Sequence, residues 1–186
     1  LTKAFRMSKD EIIQQVLDSG LKGRGGAGFP TGLKWKFTAA EKDPEKYIVC
    51  NADEGEPGTF KDREILDRVA YKVYGGMAIA GHTIGAKEGY VYLRGEYKFL
   101  LPKLLKELDD FHRMIDEIGY DFRIHYRMGS GAYICGEESA LFESIEGFRG
   151  EPRNKPPYPT TAGVFRKPTS INNVETLVTV MMIIRD

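Results

Sequence analysis

Residues 47–58 change abruptly from apolar to polar and read Tyr47-Ile48-Val49-Cys50-Asn51-Ala52-Asp53-Glu54-Gly55-Glu56-Pro57-Gly58. The first four residues form a short apolar run that predicts a buried strand, and the glycine-bearing remainder predicts a loop. An α/β sheet presents its ligand outside the carboxyl ends of its strands. The polar side chains of this loop are therefore expected at a ligand site.

Helical and strand patterns alternate on both sides of this stretch. Apolar residues at three-four spacing, together with capping signals, predict helices, and short apolar or alternating runs predict strands. The helices are predicted over residues 8–20, 69–86, 100–115 and 136–145, with a last one starting at Asn172 or Asn173, and the strands over residues 47–50, 90–93 and 122–126. Strands separated by helices imply parallel βαβ units, so the predicted fold class is α/β with a mostly parallel sheet flanked by helices.

The composition limits the classes of function. The chain has 186 residues, of which 41% are hydrophobic and 29% are charged, and this suits one globular domain over residues 1–186. Lys and Arg total 27 and Asp and Glu also total 27, so the chain lacks the net positive charge expected of a nucleic-acid-binding protein. We therefore expect no nucleic acid partner.

The apolar runs and the cysteines bear on the compartment. The longest apolar run, at residues 177–184, is much shorter than the roughly 20 residues that cross a bilayer, so no direct membrane span is expected. The two cysteines, Cys50 and Cys135, lack the spacing of a disulfide framework, a zinc site or an iron–sulfur cluster. This usage is typical of a reducing compartment, either the cytoplasm or an organelle matrix, with or without peripheral attachment to a membrane complex. No metal site is expected.

Residues 20–37 concentrate glycines, cations and aromatic rings in the sequence Gly20-Leu21-Lys22-Gly23-Arg24-Gly25-Gly26-Ala27-Gly28-Phe29-Pro30-Thr31-Gly32-Leu33-Lys34-Trp35-Lys36-Phe37. This composition predicts neither a regular helix nor a regular strand. Glycines let backbone N–H groups approach an anion, Arg24 and Lys34 favour phosphate, and aromatic rings offer surfaces for stacking. Phosphate and ring together predict a nucleotide, and a flexible surface linker is the alternative.

Two details of this segment are less specific. Gly23, Gly25 and Gly28 match G-x-G-x-x-G, but the dinucleotide fingerprint follows a strand and the segment before Gly23 is predicted to be helical. Trp35 is interpreted as a core residue. Phe29 and Phe37 suit the core or a ligand surface equally.

The acidic loop after the first predicted strand contains Asn51, Asp53, Glu54 and Glu56. Ionised carboxylates accept hydrogen bonds from vicinal hydroxyls, which suits a ribose or a ribityl chain. A cation site, a general acid/base pair and a solvated acidic turn are the other interpretations. Acid/base chemistry would need two carboxylates in opposed protonation states, and a sequence does not show these.

A second group of carboxylates, Glu137 and Glu138, follows Gly136 at the start of a predicted helix. The helix macrodipole favours acidic residues at this position, which explains the carboxylates but not the glycines that precede them. The Pro-rich segment at residues 149–159 then either presents Tyr158 as an exposed ring on a rigid support or is only a rigid connection.

Four motifs, in this order, resemble one family: the NADH-oxidising flavoprotein subunit of respiratory complex I, with its relatives in NAD-reducing hydrogenases, bifurcating hydrogenases and NAD-dependent formate dehydrogenases. The motifs lie at residues 23–35, 50–58, 136–138 and 171–176, and the resemblance covers roughly residues 19–177. It implies a Rossmann-like three-layer domain that holds FMN non-covalently, with NADH stacked on the flavin ring and delivering a hydride to it.

The resemblance also implies the site residues. FMN would be held by Gly23, Arg24, Gly25, Gly26, Lys34, Asn51, Asp53, Glu54, Gly136, Glu137, Asn172, Asn173 and Thr176. NAD(H) would be contacted by Gly26, Phe29, Lys34, Phe37, Glu56, Glu138 and Tyr158. Within the second set Glu56 and Glu138 would position the dinucleotide. The cofactors carry the hydride chemistry, so no side chain is expected to be catalytic.

By the same resemblance the chain is expected to be a fragment. Family members usually continue into a ubiquitin-like segment and a helical bundle whose cysteines bind a 4Fe–4S cluster, so this chain is expected to hold flavin but no cluster. The implied partners are NADH and the iron–sulfur subunits of a larger electron-transfer complex, including a small thioredoxin-like 2Fe–2S subunit. Two other functions compete: a non-catalytic nucleotide-binding structural or regulatory module, and a carboxylate-based hydrolase, against which Arg24, Lys34 and the aromatic residues argue.

Overall fold

A computed structural model describes residues 1–23, 28–54, 59–129, 138–147, 153–155 and 157–185. Its helices are α1 (Thr2–Arg6), α2 (Lys9–Asp18), α3 (Thr31–Ala40), α4 (Lys61–Ile84), α5 (Leu101–Glu117), α6 (Glu138–Ile145) and α7 (Val174–Arg185). Its strands are β1 (Tyr47–Ala52), β2 (Glu88–Leu93), β3 (Arg123–Met128) and β4 (Thr169–Asn173). Short 3-10 turns at Gly95–Leu100 and Val164–Arg166 complete the regular structure of the described residues.

The strands form one parallel sheet in the order β3-β2-β1-β4. The chain builds outward from β1 through β2 to β3 and then returns to place β4 on the other side of β1. Such a reversal of strand order leaves a crevice between the carboxyl ends of the two strands on either side of it, here β1 and β4. The predicted fold class, an α/β three-layer domain with a parallel sheet flanked by helices, is confirmed.

Alternation along the strands divides the core into two layers, because successive side chains of a strand point to opposite faces. On β1, Ile48 and Cys50 join the larger hydrophobic cluster, which also contains residues of α2, α4, α5 and α7. Tyr47 and Val49 point the other way and pack with Leu141 and other residues of α6. The sheet therefore has helices on both faces, and α6 is the described helix of the smaller layer.

Helix α4 packs closely on α7 through two consecutive glycines. A Cβ atom on Gly76 would overlap the carbonyl oxygen of Leu177, and one on Gly75 would lie 2.5 Å from the sulfur of Met181. These two glycines therefore face another helix and not the sheet. Gly81 contacts the ring of Phe122 instead.

Several expectations about single elements are confirmed. The hydroxyl of Ser8 accepts a hydrogen bond from the backbone N of Glu11 at 3.1 Å, so the predicted cap starts α2. Asn173 caps the last helix, since its side-chain oxygen accepts from the backbone N of Glu175 at 2.9 Å. Trp35 is completely buried.

Other expectations are wrong. Residues 20–37 were expected to be irregular, but α3 covers Thr31–Ala40, because Trp35 and Thr38 face the core and the missing side chain of Gly32 lets α3 approach Leu17 of α2. Neither strand β4 nor helix α1 was predicted. Helix α4 starts at Lys61, earlier than the predicted start at residue 69. Val69 lies inside this helix and has non-helical dihedral angles.

Candidate functional site

The register of the sheet brings polar residues together at one edge. Asn51 near the end of β1 pairs with Asn173 at the end of β4, across the crevice where the strand order reverses. Arg94 follows β2 and donates its backbone N–H to the carbonyl of Ala52 at 3.2 Å. Gly129 follows β3 at the same edge, bonded to Leu93. This carboxyl edge is where ligands bind in such sheets.

Helix α3 brings a lysine to this edge. The ammonium of Lys34 donates a hydrogen bond to the carbonyl oxygen of Ile171 in β4 at 2.7 Å. The neighbouring Trp35 donates its indole N–H to the side-chain oxygen of Asn172 at 3.3 Å. Two consecutive residues of α3 are thus fastened to two consecutive residues of β4. The cation of Lys34 lies beside the middle of β4, the strand that borders the crevice.

The two asparagines of β4 use their side chains differently. The amide of Asn172 is buried, accepting from Trp35 and donating to the hydroxyl of Ser170 at 3.2 Å. The amide of Asn173 accepts from the backbone of Glu175 and donates to a carboxylate oxygen of Asp62 at 3.3 Å. The side chain of Asn172 therefore stabilises the fold, and only Asn173 carries its amide at the crevice end of the strand.

Asp62 is a buried carboxylate that sequence reasoning missed. It lies in the first turn of α4, and its other oxygen is 3.1 Å from the ammonium of Lys61, which also approaches Glu175 at 3.6 Å. Burial raises the pKa of Asp62, while Lys61 acts in the opposite direction. The charge of Asp62 is compensated locally by Lys61 and the amide of Asn173, so this network joins the start of α4 to the start of α7.

Glu54 serves as an anchor of the acidic loop. One carboxylate oxygen accepts from the hydroxyl of Tyr97 at 3.2 Å and the other from the backbone N of Asp62 at 3.2 Å. The guanidinium of Arg94 donates to the backbone carbonyl of Glu54. The first two contacts satisfy the buried carboxylate, and the third holds the backbone of the same residue. Both carboxylate oxygens of Glu54 are therefore already engaged within the protein.

Asn51 and Asp53 remain at the surface of the crevice. The side-chain oxygen of Asn51 accepts from the backbone N of Asp53 at 3.0 Å, which fixes the orientation of the amide. Burial raises the pKa of the Asp53 carboxyl above its ordinary value, against the opposing effect of Arg94. Hydroxyl groups of a ligand that donate to this carboxylate would compensate for the lost hydration.

The glycine-rich segment is closed at its base. Lys22 and Pro30 form an isolated antiparallel bridge, and the backbone N of Gly23 donates to the carbonyl of Phe29 at 2.9 Å. Gly28 has a φ of 66°, a conformation that glycine adopts readily. Arg24, Gly25 and Gly26 lie outside the described residues. The residues on the two sides of the segment are therefore bonded to each other.

The three aromatic residues predicted to contact a nucleotide are exposed. The exposed fractions are 43% for Phe29, 48% for Phe37 and 61% for Tyr158. Phe37 lines an open cavity of about 620 Å³ together with Thr160 and Thr161, two residues of the turn that follows Tyr158. The structure therefore places Phe37 and this turn on the same cavity.

For the other predicted site residues the structure describes only some positions. Thr176 is buried in the first turn of α7. Helix α6 starts at Glu138, and nothing of its side chain is described. Glu56, Gly136, Glu137 and Cys135 lie outside the described residues.

Two negative results apply to the described part of the chain. It contains no group of three or more His, Cys, Asp or Glu side chains arranged to hold a metal ion. None of its helices combines the length and the apolar character needed to cross a membrane.

Four residues that support the site were not identified from sequence: Lys61, Asp62, Arg94 and Tyr97. The sequence did contain a signal for Arg94. This residue directly follows β2, Asn51 lies near the end of β1, and the carboxyl ends of parallel strands share one edge of the sheet. No comparable signal existed for Asp62 or Tyr97, because their contacts with Glu54 depend on how α4 and the turn after β2 pack beside the end of β1.

Comparison with known proteins agrees with these observations. The family model described as the Nuo51 FMN-binding domain matches residues 16–182. This chain belongs to that family. The alpha subunit of the NAD-reducing hydrogenase HoxS from Cupriavidus necator is 50% identical over 100% of this chain and 32% of its own length. Flavoprotein 1 of the mitochondrial NADH dehydrogenase (ubiquinone) from Dictyostelium discoideum is 47% identical over 95% of this chain and 39% of its own length.

A solved structure extends the likeness to three dimensions. A chain of the NAD⁺-reducing NiFe hydrogenase in its air-oxidised state superimposes with a TM-score of 0.90 at 49% identity, covering 96% of this chain and 31% of that one. The present chain thus spans less than half the length of these relatives. They are named as subunits or parts of larger enzymes.

Proposed function

We propose that this chain binds FMN at the crevice between β1 and β4, binds NADH beside it, and oxidises NADH by hydride transfer to the flavin. The observation that carries the proposal is the placement of Asn51, Asp53 and Asn173 at the carboxyl ends of β1 and β4, where the strand order reverses, with the ammonium of Lys34 bonded to β4. Membership of the Nuo51 FMN-binding domain family supports the choice of flavin.

The donor set suits FMN. The ammonium of Lys34 and backbone N–H groups of the glycine segment would donate hydrogen bonds to a phosphate. The residues of that segment that would contribute are Gly23, Arg24, Gly25 and Gly26. The amide N–H groups of Asn51 and Asn173 suit carbonyl or phosphate oxygens. The carboxylate of Asp53 suits ribityl hydroxyls. Within the same set, Gly136 and Glu137 would add contacts from the start of α6, whereas Glu54, Asn172 and Thr176 would act mainly by holding the edge in shape.

The dinucleotide would lie on the side of the exposed rings. Phe29, Phe37 and Tyr158 offer flat apolar surfaces on which an adenine can stack. Glu56 and Glu138 would accept hydrogen bonds from ribose hydroxyls and so orient NADH. Gly26 and Lys34 would approach both cofactors. These residues bind and orient, and none of them is required to move a proton.

FMN, when bound, accepts a hydride and passes its electrons on one at a time, so the hydride chemistry belongs to the cofactor. The contribution of the chain is to hold two rings within reach of each other and to exclude competing geometries, which is a large part of any such rate enhancement. This division explains why the site contains carboxylates, amides and rings without an acid/base pair.

The wider setting follows from the relatives. We propose that residues 1–186 form the FMN- and NAD(H)-binding domain of a larger enzyme, which delivers electrons to iron–sulfur clusters, including one on a small thioredoxin-like 2Fe–2S subunit. Any 4Fe–4S cluster would be bound outside residues 1–186. The free, buried thiol of Cys50 is compatible with a reducing compartment, the cytoplasm or an organelle matrix.

The test is to load the purified chain with FMN and add NADH under anaerobic conditions. Stoichiometric loss of the flavin absorbance is expected, followed by its return when ferricyanide is added. Flavin that binds but is never bleached would favour the non-catalytic nucleotide-binding module. Failure to bind FMN would contradict both functions. Iron analysis of the same sample is expected to show no stoichiometric cluster.

A further inference from the structure

A cluster of charged residues outside the crevice is built around Arg153. Its guanidinium contacts Glu143 at 2.5 Å, the carbonyl oxygen of Gly163 at 2.6 Å, and Glu146. Only 10% of the Arg153 side chain is exposed, against 19% for Glu143 and 7% for Glu146. Buried charges of this kind are costly unless paired, so their geometry is expected to be well defined.

The cluster joins two separate segments of the chain. Glu143 lies in α6 and Glu146 directly follows it, and α6 starts at Glu138. Gly163 closes the turn that begins at Tyr158, whose carbonyl accepts hydrogen bonds from the backbone of Thr161 and Ala162, both at 2.9 Å. Arg153 therefore bridges the helix that starts at Glu138 and the turn that carries Tyr158.

The same cluster fixes an unusual backbone. Phe165 and Arg166 both have positive φ, 53° and 59°, and neither is glycine. Such residues persist only where the surroundings hold them. Here the second carboxylate oxygen of Glu146 accepts from the backbone N of Phe165 at 2.5 Å. Glu146 thus holds Arg153 and the strained turn at once, and movement of either is resisted by the other.

We propose that Arg153 is a positioning residue for the dinucleotide: it holds the C-terminal end of α6, the helix that starts at Glu138, against the turn of Tyr158, and so keeps the two elements in one fixed arrangement. This inference rests on the proposed function, in which both residues contact NAD(H). A guanidinium suits the task because its planar fork reaches two carboxylates and a carbonyl at once, which a lysine ammonium cannot do in the same geometry.

The test compares Arg153→Met with Arg123→Met in the FMN-loaded chain. Arg123 is the control: one of its guanidinium nitrogens donates to both carboxylate oxygens of Asp116, at 2.8 and 2.9 Å, at the opposite edge of the sheet. Binding of ADP-ribose is measured by calorimetry, so that no redox step is involved. We expect Arg153→Met to raise the Kd for ADP-ribose and the KM for NADH by about ten-fold or more.

The affinity for FMN and the kcat are expected to change much less in Arg153→Met, and Arg123→Met should leave all of these quantities unchanged. Glu146→Gln, which keeps the cation, provides a milder variant for the case in which Arg153→Met does not fold, and a smaller rise in the same Kd is expected. An unchanged Kd for ADP-ribose in a folded Arg153 or Glu146 variant overturns the inference alone. A parent chain that binds neither FMN nor ADP-ribose overturns the proposed function, and the inference with it.

Discussion

Asn51 and Asn173 are register partners at the carboxyl ends of β1 and β4, and the side-chain oxygen of each accepts a backbone N–H two residues further along the chain. Both side-chain oxygens are thus used inside the protein, and what these residues can offer a ligand is the amide N–H groups of Asn51 and the one amide N–H of Asn173 that does not donate to Asp62. The crevice between the two strands is therefore a donor site, suited to an oxygen-rich ligand.

Replacing Asn51 by Asp tests this orientation. The variant keeps an oxygen for the backbone N of Asp53 but loses both amide hydrogens and adds a negative charge at the crevice. We expect the fold to be retained and the affinity for FMN to fall about ten- to a hundred-fold, as is usual for loss of a hydrogen bond to a charged group. Quenching of flavin fluorescence measures the affinity, and Asn154→Asp, at an exposed position, is the control.

Lys34 allows a second test of the same edge. Lys34→Met keeps a long apolar side chain in α3 but removes the cation beside Ile171. A charge-assisted contact is worth about 1.5–3 kcal/mol, so the affinity for FMN should fall by roughly ten-fold or more. Affinity for riboflavin, which lacks the phosphate, should fall less. Lys36→Met, at an exposed position of the same helix, should have no effect on either ligand. Equal losses for both flavins would place Lys34 away from the phosphate.

The pH dependence of FMN binding should show how much the ionised carboxylate of Asp53 contributes to the affinity. Burial raises the pKa of this carboxyl above 3.8, and the ionised form is the one that accepts hydrogen bonds from ribityl hydroxyls. Its contribution is therefore complete at neutral pH and is lost as the pH falls through the raised pKa. Asp53→Asn should weaken FMN binding at neutral pH, with a smaller difference from the parent in acid.

The ratio of parent to variant affinity cancels the titration of the FMN phosphate itself, which occurs near pH 6. Asp43→Asn, at the opposite edge of the sheet, is the control. A ratio that stays constant over the whole pH range would mean that Asp53 is not a ligand of the flavin.

Two of the three strands that the sequence predicted correctly, β1 and β2, have compositions that indicate burial. Residues 47–50 and 90–93 are nearly continuous apolar runs with β-branched or aromatic residues, typical of a buried parallel strand. Strand β4 reads Thr169-Ser170-Ile171-Asn172-Asn173, with one aliphatic residue, and it becomes a strand because β1 pairs with it. Pairing with a distant partner is not visible in a local pattern.

Helix α3 was also missed by the sequence-based prediction. Glycine and proline near its start are typical of loops. The helix forms because Trp35 is buried and bonded to Asn172, a tertiary contact that outweighs weak local preference. For the site, the end of the first predicted strand indicated Asn51 and Asp53 correctly as edge residues, whereas Asn173 was implied only by the family resemblance, because β4 was not predicted. The engagement of Glu54 with Tyr97 and Asp62 could not be predicted, because it depends on the path of α4.

Two neighbouring glycines of α4 give a prediction about stability. Gly76→Ala would place a methyl group against the backbone of Leu177, which cannot move without shifting α7. Gly75→Ala would meet the flexible side chain of Met181, which can adopt another rotamer. We expect Gly76→Ala to lower the free energy of unfolding by about 1–3 kcal/mol, and Gly75→Ala to be close to neutral. The measurement is the Tm of the two variants in thermal unfolding. Equal Tm values would contradict the close approach of α4 and α7.

The choice between NADH and NADPH is expected to depend on Glu138, at the start of α6. A carboxylate near the adenosine ribose accepts a hydrogen bond from the 2′-hydroxyl of NADH, whereas the 2′-phosphate of NADPH would bring like charges together. Glu138→Gln should keep NADH oxidation and increase the use of NADPH, reducing the preference about ten- to a hundred-fold. Because salt screens such repulsion, the change should be smaller at high ionic strength.

The measurement is the ratio of kcat/KM for NADH to that for NADPH, in the parent and the variant, at low and high salt. Glu117→Gln, an exposed residue at the end of α5, serves as the control and should leave the ratio unchanged. A ratio that does not fall in Glu138→Gln would remove this residue from the selectivity site. Its carboxylate would then be explained by the helix macrodipole, which favours a negative charge at the start of α6 without any nucleotide.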